Sequence, residues 1–360
     1  MVLEDLIIVS IMRVMPNSRF AIFSDLHLGV HMNSQVWHDV SLDWAEWIVG
    51  ELKQKDITEI VFCGDFFHSR SEITVNTLHH ASVILEAFKD FKIYMLAGNH
   101  DSFYKNNCTV NSIRIFHGRD NIDIIDKPCL KQIGGKECFF APWGTEISDI
   151  QSCDVLFGHF EIETFKMNSF KVCEGGFKSS DLLQFAPLVI SGHFHLREER
   201  KYNKGTILYV GCPFELDFGD EGSTKGYYIL DTKTLQYEFF PNEVSPRHVK
   251  INLSDLVKID NFAEAGNVIF GNNIVKLGID KNVSTQDLEK LTIKLHNYKP
   301  LNLVLDNSVK FDKFGADIEQ NIDLSGVDIT KAITDFVQLL DIENKKDVTD
   351  YTISLYNQCK

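Results

Sequence analysis

The sequence predicts an α/β protein built on two packed sheets, with a smaller α/β module following them. Three observations predict it. Strand-like and helix-like patterns alternate as β-α-β-α-β up to residue 101, which implies a parallel sheet with helices on its faces. Between residues 122 and 240 strand-like runs follow one another with few helices, as expected of a second, more antiparallel sheet packed on the first. Beyond the linker-like stretch Pro241 to Pro246, strands and a helix alternate again.

Each element has a local reason. Arg19 to Ser24 reads as the first core strand, and residues 1–18 as an extension before it. Their apolar run, Leu6 to Met15, follows Glu4 and Asp5, whereas a secretory signal carries a positive start. From Trp37 to Gln54, apolar residues recur at 37, 40, 44, 47, 48 and 52, which is helical spacing. Thr58 to Cys63 is a β-branched, apolar strand. Ser71 opens a second helical pattern with Glu72 in its first turn, carried by Ile73, Leu78, Ala81, Leu85 and Phe88, and Ile93 to Ala97 is a third strand. The runs 122–125, 138–141, 154–157, 188–191, 206–210, 226–230 and 235–240 are expected to supply the second sheet. Segment 160–178 lacks periodicity and is expected as a loop or hairpin near the site. In the last module 247–253, 273–279 and 301–305 read as strands. Ser284 to His296 reads as a helix, with Asp287 at the capping-box distance from Ser284. Residues 312–328 are polar and turn-rich, and Ile329, Ile333, Phe336, Val337 and Leu340 make an apolar helical face. The expected divisions are an extension (1–18), a main domain (19–245), a cap (246–310) and a linker with helical tail (311–360).

An apolar content of 44% excludes a disordered chain, and a formal charge of −15 argues against gripping nucleic acid by bulk charge. A local positive site made by metal ions stays open. The eight cysteines contain no C-x-x-C pair, which fits free thiols in a reducing, cytoplasmic setting. No apolar run approaches the ~18 residues of a membrane span.

The chemistry is punctuated along the chain. Asp25-Leu26-His27, Gly64-Asp65, Gly98-Asn99-His100-Asp101, Gly158-His159 and Gly192-His193-Phe194-His195 each follow an apolar run, so polar groups stand at strand ends where open α/β folds place their sites. Hydrolysing a phosphate ester requires a nucleophile, neutralised phosphoryl oxygens and help for the leaving oxygen. Two divalent ions ~3.5–4 Å apart supply most of this through mixed carboxylate and imidazole ligands. Asp25, His27, Asp65, Asn99, His159, His193 and His195 are such a set. On an extended segment residues i and i+2 point the same way, so Asp25 and His27 are expected to face one ion, and His193 and His195 likewise. Two carboxylates against two divalent ions leave a net positive pocket, and Asn99 ligates without spending that charge. His100 is placed to donate to the departing oxygen, and Asp101 is expected to fix its tautomer. The other histidines (38, 79, 80, 117, 248 and 296) read as structural, Phe66 and Phe67 as core, and Trp143 as packing rather than base stacking.

At these residues the chain resembles the calcineurin-like metallophosphoesterases, whose five motifs occur here in the family's order. In the protein Ser/Thr phosphatase branch, Gly-Asp runs on as Tyr-Val-Asp-Arg-Gly. Here Gly64-Asp65-Phe66-Phe67-His68-Ser69-Arg70 and Ser24-Asp25-Leu26-His27-Leu28-Gly29 resemble instead the DNA double-strand-break repair nucleases of the bacterial SbcD type and their phage relatives. The resemblance implies a four-layer α/β/β/α metallophosphoesterase sandwich with a small α/β capping domain and a C-terminal helical tail. It implies one metal held by Asp25, His27, Asp65 and His195, and a second by Asp65, Asn99, His159 and His193, with Asp65 bridging. His100 matches the catalytic histidine, and His68 a second one that steers the DNA end. Two Mn2+ ions, DNA as substrate and an SMC-like ATPase of the SbcC type are likewise implied, with the tail docking the ATPase. A homodimer through Trp37–Lys55 and Ser71–Phe88 follows by the same resemblance. The chain has no G-x-x-x-x-G-K-[ST] loop, and Gly222-Ser223-Thr224-Lys225 has the wrong order, so ATP would enter through another chain.

The expected reaction is in-line hydrolysis of DNA phosphodiesters, exonuclease with endonuclease activity, with Arg70, Lys105 and Arg114 as candidate phosphate contacts. Two rivals are a metallophosphatase of nucleotides or other small phosphoesters and a metal-bound scaffold with little activity. His68 and the cap argue against the first, and the complete ligand set with His100 argues against the second.

Overall fold

Strand β1 (Arg19–Phe23) shows how the layers arise. Side chains alternate across a strand, so Phe20 and Ile22 enter one apolar cluster while Ala21 and Phe23 enter another. Both faces are therefore covered, as a strand inside a layered fold requires. The computed structural model describes residues 18–168, 171–306, 337 and 344–358.

The first sheet adds β2 (Glu59–Phe62), β3 (Lys92–Leu96) and β4 (Ile122–Ile125), all parallel to β1. Helices α1 (Gln35–Gln54) and α2 (Val75–Ala87) are the connections and cover its outer face through Trp44, Ile48, Leu52, Ile84 and Leu85. Helix α2 starts later than its apolar pattern suggested. Thr74 is extended and its hydroxyl accepts the Thr77 N–H, so the capping hydroxyl, not Ser71, sets the first turn.

The second sheet has the order β5-β6-β7-β8-β10-β9, from β5 (Cys129–Ile133), β6 (Lys136–Ala141), β7 (Val155–His159), β8 (Leu188–Gly192), β9 (Glu198–Tyr202) and β10 (Gly205–Tyr209). Its inner pairings are parallel, and antiparallel pairing is confined to the edges, β5 with β6 and β9 with β10. Three runs expected here lie in the first sheet instead, and the first of them, 122–125, is its edge strand β4. β11 (Gly226–Asp231) and β12 (Gln236–Pro241) extend the first sheet, β11 pairing antiparallel with β1. Facing side chains of the two sheets, among them Phe20, Val61 and Leu96 against Phe140, Phe157 and Ile190, form the inter-sheet core. The outermost layer on the second sheet is thin: the four-residue helix Ser179–Leu182 and the 160–178 segment, which carries two isolated bridges.

The last module is a parallel sheet of β13 (His248–Asn252), β14 (Ile274–Gly278) and β15 (Asn302–Asp306), with helices α3 (Phe262–Phe270) and α4 (Thr285–His296). Ser284 caps α4 by accepting the Asp287 N–H at 3.1 Å. The module has its own apolar cluster around Phe270, Leu277 and Leu295. It also joins the main core, where Ile274 packs and His248 stacks on Trp37 at 5.8 Å. These residues belong to one compact unit, and helix α5 (Lys345–Gln358) belongs to another. The expected N-terminal extension, the polar stretch 312–328 and, except for helical Val337, the apolar face 329–340 lie outside the described residues.

Candidate metal centre

The loops after β1, β2, β3, β7 and β8 meet at one end of the sandwich. Asp25 and His27 are not on an extended segment, as their spacing suggested. Their φ values are 57° and 49°, Asp65 has 59° and His193 has 89°. Four of the seven expected ligands thus hold the left-handed conformation that costs a side-chain-bearing residue about 1–2 kcal/mol. Backbone hydrogen bonds enforce it: Asp25 N donates to Gly64 O at 2.9 Å, and His27 N to Asp65 O at 3.1 Å. Gly64 and Gly98 are glycines because nothing else fits. A Cβ on Gly64 would lie 2.5 Å from His159 Nδ1, and one on Gly98 2.2 Å from Asp65 Oδ1.

Six of the seven converge as two clusters, Asp25 with His27 and His195, and Asp65 with His159 and His193. His193 and His195 therefore diverge around Phe194 instead of facing one point. His27 Nε2 and His195 Nε2 lie 3.0 Å apart. Asn99 Oδ1 lies 2.9 Å from His159 Nε2 and 2.8 Å from His193 Nδ1. Asp65 stands between the clusters: its Oδ2 is 3.7 Å from His27 Nε2 and 3.3 Å from His159 Nε2. Its Oδ1 accepts the His100 N–H at 2.7 Å. Asp25 reaches across the sheets and accepts the His193 N–H at 3.1 Å.

Whether these residues fit divalent ions can be tested on His159. Its Nδ1 donates to Cys63 O at 2.7 Å, leaving Nε2 to face Asp65 Oδ2 and Asn99 Oδ1. With the Asn99 oxygen turned this way, three acceptors are aimed at one point, and a cation between them would satisfy all three. A proton can serve: burial opposes it, but Asp65 outweighs burial and pushes His159 up to about 9. A divalent ion would serve equally, and it would also suit the other cluster. There burial drives His27 well below its ordinary value and His195 down to about 4, so both rings present lone pairs at neutral pH. Burial, with Asp65 adding to it, pushes Asp25 up to about 7, a carboxylate that a neighbouring cation would ionise. Burial would raise Asp65 too, but His159, His27 and His100 hold it well below the usual range. Four imidazoles, two carboxylates and an amide oxygen suit a transition-metal ion better than the all-oxygen shell of calcium or magnesium. Turned over, the Asn99 amide would instead donate to both rings and to Asp65 Oδ2 and accept from Arg70 Nη2 at 2.7 Å, so a bound ion would select the first orientation.

His68 and His100 stand at the rim, their rings stacked with centroids 5.4 Å apart. His68 also closes on His27, Nδ1 to Nδ1, at 3.4 Å. The His100 tautomer is fixed by the His68 carbonyl, which accepts from His100 Nδ1 at 2.6 Å, and not by Asp101. The Asp101 carboxylate is occupied elsewhere, by the N–H groups of Asp65, Phe66, Phe67 and Gly98 at 2.9–3.0 Å. Two supports escaped sequence reasoning. Glu161 Oε1 faces His193 Nε2 at 3.4 Å, and the buried Lys225 donates to His195 O at 2.7 Å and to Asp220 Oδ1 at 2.6 Å. Lys225 drew notice only as a failed phosphate-loop lysine; its apolar surroundings, Gly226 to Leu230, were the available signal. Of the expected phosphate contacts, Arg70 lies at Asn99. Arg114 is committed to an ion pair with Asp126.

A left-handed loop set that brings two carboxylates, an amide and four imidazoles from two sheets to one point defines a dinuclear metallohydrolase type of site. Residues 18–197 match the calcineurin-like phosphoesterase family, and the chain belongs to that family. It is similar to "Exonuclease subunit 1" of Enterobacteria phage T4, 28% identical over 301 residues, covering 80% of this chain and 85% of that protein. It is also similar to the SbcD component of the SbcCD nuclease of Staphylococcus epidermidis, 24% identical over 257 residues, covering 59% of this chain and 66% of that protein. A solved dimetal phosphatase from Danio rerio aligns at 9% identity with a TM-score of 0.38, over 59% of this chain and 92% of its own.

Proposed function

We propose that the chain is a dinuclear-metal-dependent DNA nuclease, an exonuclease that also cuts endonucleolytically, acting in recombination and double-strand-break repair. The observation that carries the reading is the paired clusters sharing Asp65 Oδ2, with the stacked His68 and His100 at their rim. Asp25, His27, Asp65 and His195 would hold one ion, and Asp65, Asn99, His159 and His193 the other. Bound ions supply concentrated positive charge for the phosphoryl oxygens and activation of the attacking water.

The chain's own residues do the rest. With Nδ1–H spent on the His68 carbonyl, the His100 Nε2 is the atom left to carry a proton to the leaving oxygen. His68, packed on His27 and His100, fills the side of the pocket where a strand end would be steered. Arg70, at Asn99, is placed to meet a phosphate. The names of both relatives as parts of nucleases support a partner. We take it to be an SMC-like ATPase docking on the C-terminal helical segment, with 246–310 as a cap. Val75, Leu78 and Val83, exposed on α2, support a homodimer through the α1–α2 face. Manganese is the proposed metal. Seven free cysteines among the described residues support a reducing, cytoplasmic setting, and no helix among those residues is long and apolar enough to cross a membrane.

The test is cleavage of a linear duplex by the purified chain with manganese, beside a chromogenic phosphomonoester, with and without chelator. Manganese-dependent shortening of DNA that disappears in His100→Asn supports the reading. Monoester turnover with intact DNA replaces it by a small-substrate phosphatase.

A further inference from the structure

Immediately after His100-Asp101 the chain leaves the site as a small hairpin. An antiparallel bridge between Ser102 and Asn111 closes it, and Phe103 N donates to Val110 O at 3.0 Å. Its base is tied into the site: Ser102 Oγ donates to Gly98 O at 2.7 Å, and Ser112 N to Asp101 O at 2.8 Å. Its far side is pinned to Trp143, whose Nε1 donates to Lys105 O at 2.8 Å and whose own carbonyl accepts from Cys108 Sγ at 2.7 Å. The Trp143 ring in turn lies 5.2 Å from the His193 ring.

This anchored hairpin presents two aromatic rings to solvent. Phe103 is 55% exposed and Tyr104 is 48% exposed, and they meet edge to face with centroids 5.1 Å apart. The chain has 27 phenylalanines. Among the described residues Phe103 is the only large-exposure one, so its position is a costly departure from the chain's own habit. Lys105 follows directly. Its carbonyl is held by Trp143 Nε1, and the Trp143 ring lies beside His193, so the lysine stays on the hairpin that borders the site.

The geometry points to hairpin 102–111 as a stacking platform for an unpaired nucleobase of the strand being cut, with Phe103 and Tyr104 supplying the faces and Lys105 a backbone charge. The inference rests on the nuclease reading and deepens it by naming the form of DNA. Three features choose this occupant over an apolar protein surface. The rings follow His100-Asp101 closely in sequence, and the hairpin that carries them is pinned to Trp143, whose ring lies beside His193. A cation accompanies them, as in grooves that follow a phosphate backbone. The hairpin is braced by its own hydrogen bonds, so it offers ring faces with little ordering cost. Stacking on an aromatic ring needs no base identity but does need an exposed base face, which a paired base inside a duplex does not offer. The site should therefore prefer tailed or frayed ends.

The experiment uses the full chain with manganese and duplexes whose unpaired tails carry either normal bases or abasic residues with the same phosphates. The wild type is expected to cleave the base-bearing tail roughly tenfold more efficiently (kcat/KM), in line with the known strength of base–aromatic stacking. In F103A/Y104A that ratio should collapse toward one, and F103W/Y104W should restore it. A wild type that cuts both tails equally overturns the stacking role and leaves the nuclease reading standing. So does a double-alanine variant that slows both tails alike and keeps the ratio, because the hairpin would then only brace the site. A double-alanine variant with unaltered DNA kinetics but weakened association with an ATPase subunit would assign the rings to that partner instead. A wild type that cleaves no DNA, even with such a subunit added, sinks both readings together.

Discussion

The Asp101 carboxylate accepts the backbone N–H of Asp65 at 2.9 Å, so the loop after β3 holds the loop after β2 in its left-handed turn. Phe66, Phe67 and Gly98 donate to the same carboxylate. Removing it strands four buried donors, each worth about 1–3 kcal/mol when left unmet. Asp101→Ala is therefore expected to destabilise the fold by several-fold more than a typical site substitution, with activity and metal binding lost together. Thermal unfolding and metal titration of the same preparation check it.

His100→Asn should separate what Asp101→Ala joins. The ring lies at the rim, and its loss leaves both clusters intact. Turnover should fall by about 10²–10⁴, as for loss of a general acid, while metal affinity and melting temperature stay near wild type. A variant that loses metal as well would demote His100 to a positioning role.

Metal removal should be a stability experiment too. Ions that bind only the folded chain stabilise it by mass action, about 2.7 kcal/mol at a hundredfold excess over Kd. Chelation should lower the melting temperature and abolish hydrolysis, and added manganese should restore both. Activity that survives exhaustive chelation would contradict the dinuclear site.

Lys225 and Asp220 form a buried ion pair at 2.6 Å whose lysine also holds the His195 carbonyl. Breaking such a pair from one side leaves an uncompensated charge and costs about 3–5 kcal/mol. Lys225→Met should show that cost in chemical denaturation, and Lys225→Met with Asp220→Asn should recover part of it. Equal stability of the single and double variants would show that the pair is not coupled.

His38 is buried, stacked on His80 at 4.5 Å, and burial, with His80 adding to it, lowers its pKa. Below its ordinary value near 6.5 the unfolded chain takes up a proton that the folded chain refuses. The unfolded state then binds more protons, so stability falls as the pH drops. His38→Gln should flatten the decline in melting temperature between pH 7 and pH 5, even if the variant starts lower. An unchanged slope would remove His38 from the acid response.

Much of this was legible in the chain. Apolar runs ending in Asp, Asn or His marked five loops, and all seven expected ligands meet. The manner of meeting was not. An alternating pattern suggested extended backbone at Asp25 and His27, whereas the backbone turns left-handed there because Gly64 O and Asp65 O capture their N–H groups. Local periodicity identified β11 and β12 as strands but carried nothing about their neighbours, since the pairing of Arg19 with Asp231 is a contact across the whole domain. Asp101 looked like an imidazole partner because it is adjacent in sequence. Its carboxylate turns away because four backbone donors compete for it.

The centre draws Asp25, His27, Asp65 and Asn99 from loops of one sheet and His159, His193 and His195 from loops of the other, with Asp25 holding the His193 backbone across the gap. No fragment that ends before His195 can therefore carry the complete ligand set. During synthesis a ribosome must release everything through His195 before the last ligand is available, and β11 must then dock beside β1 to bring Lys225 beneath it. A phosphoesterase assembled in that order lacks its complete centre until the main sandwich has closed.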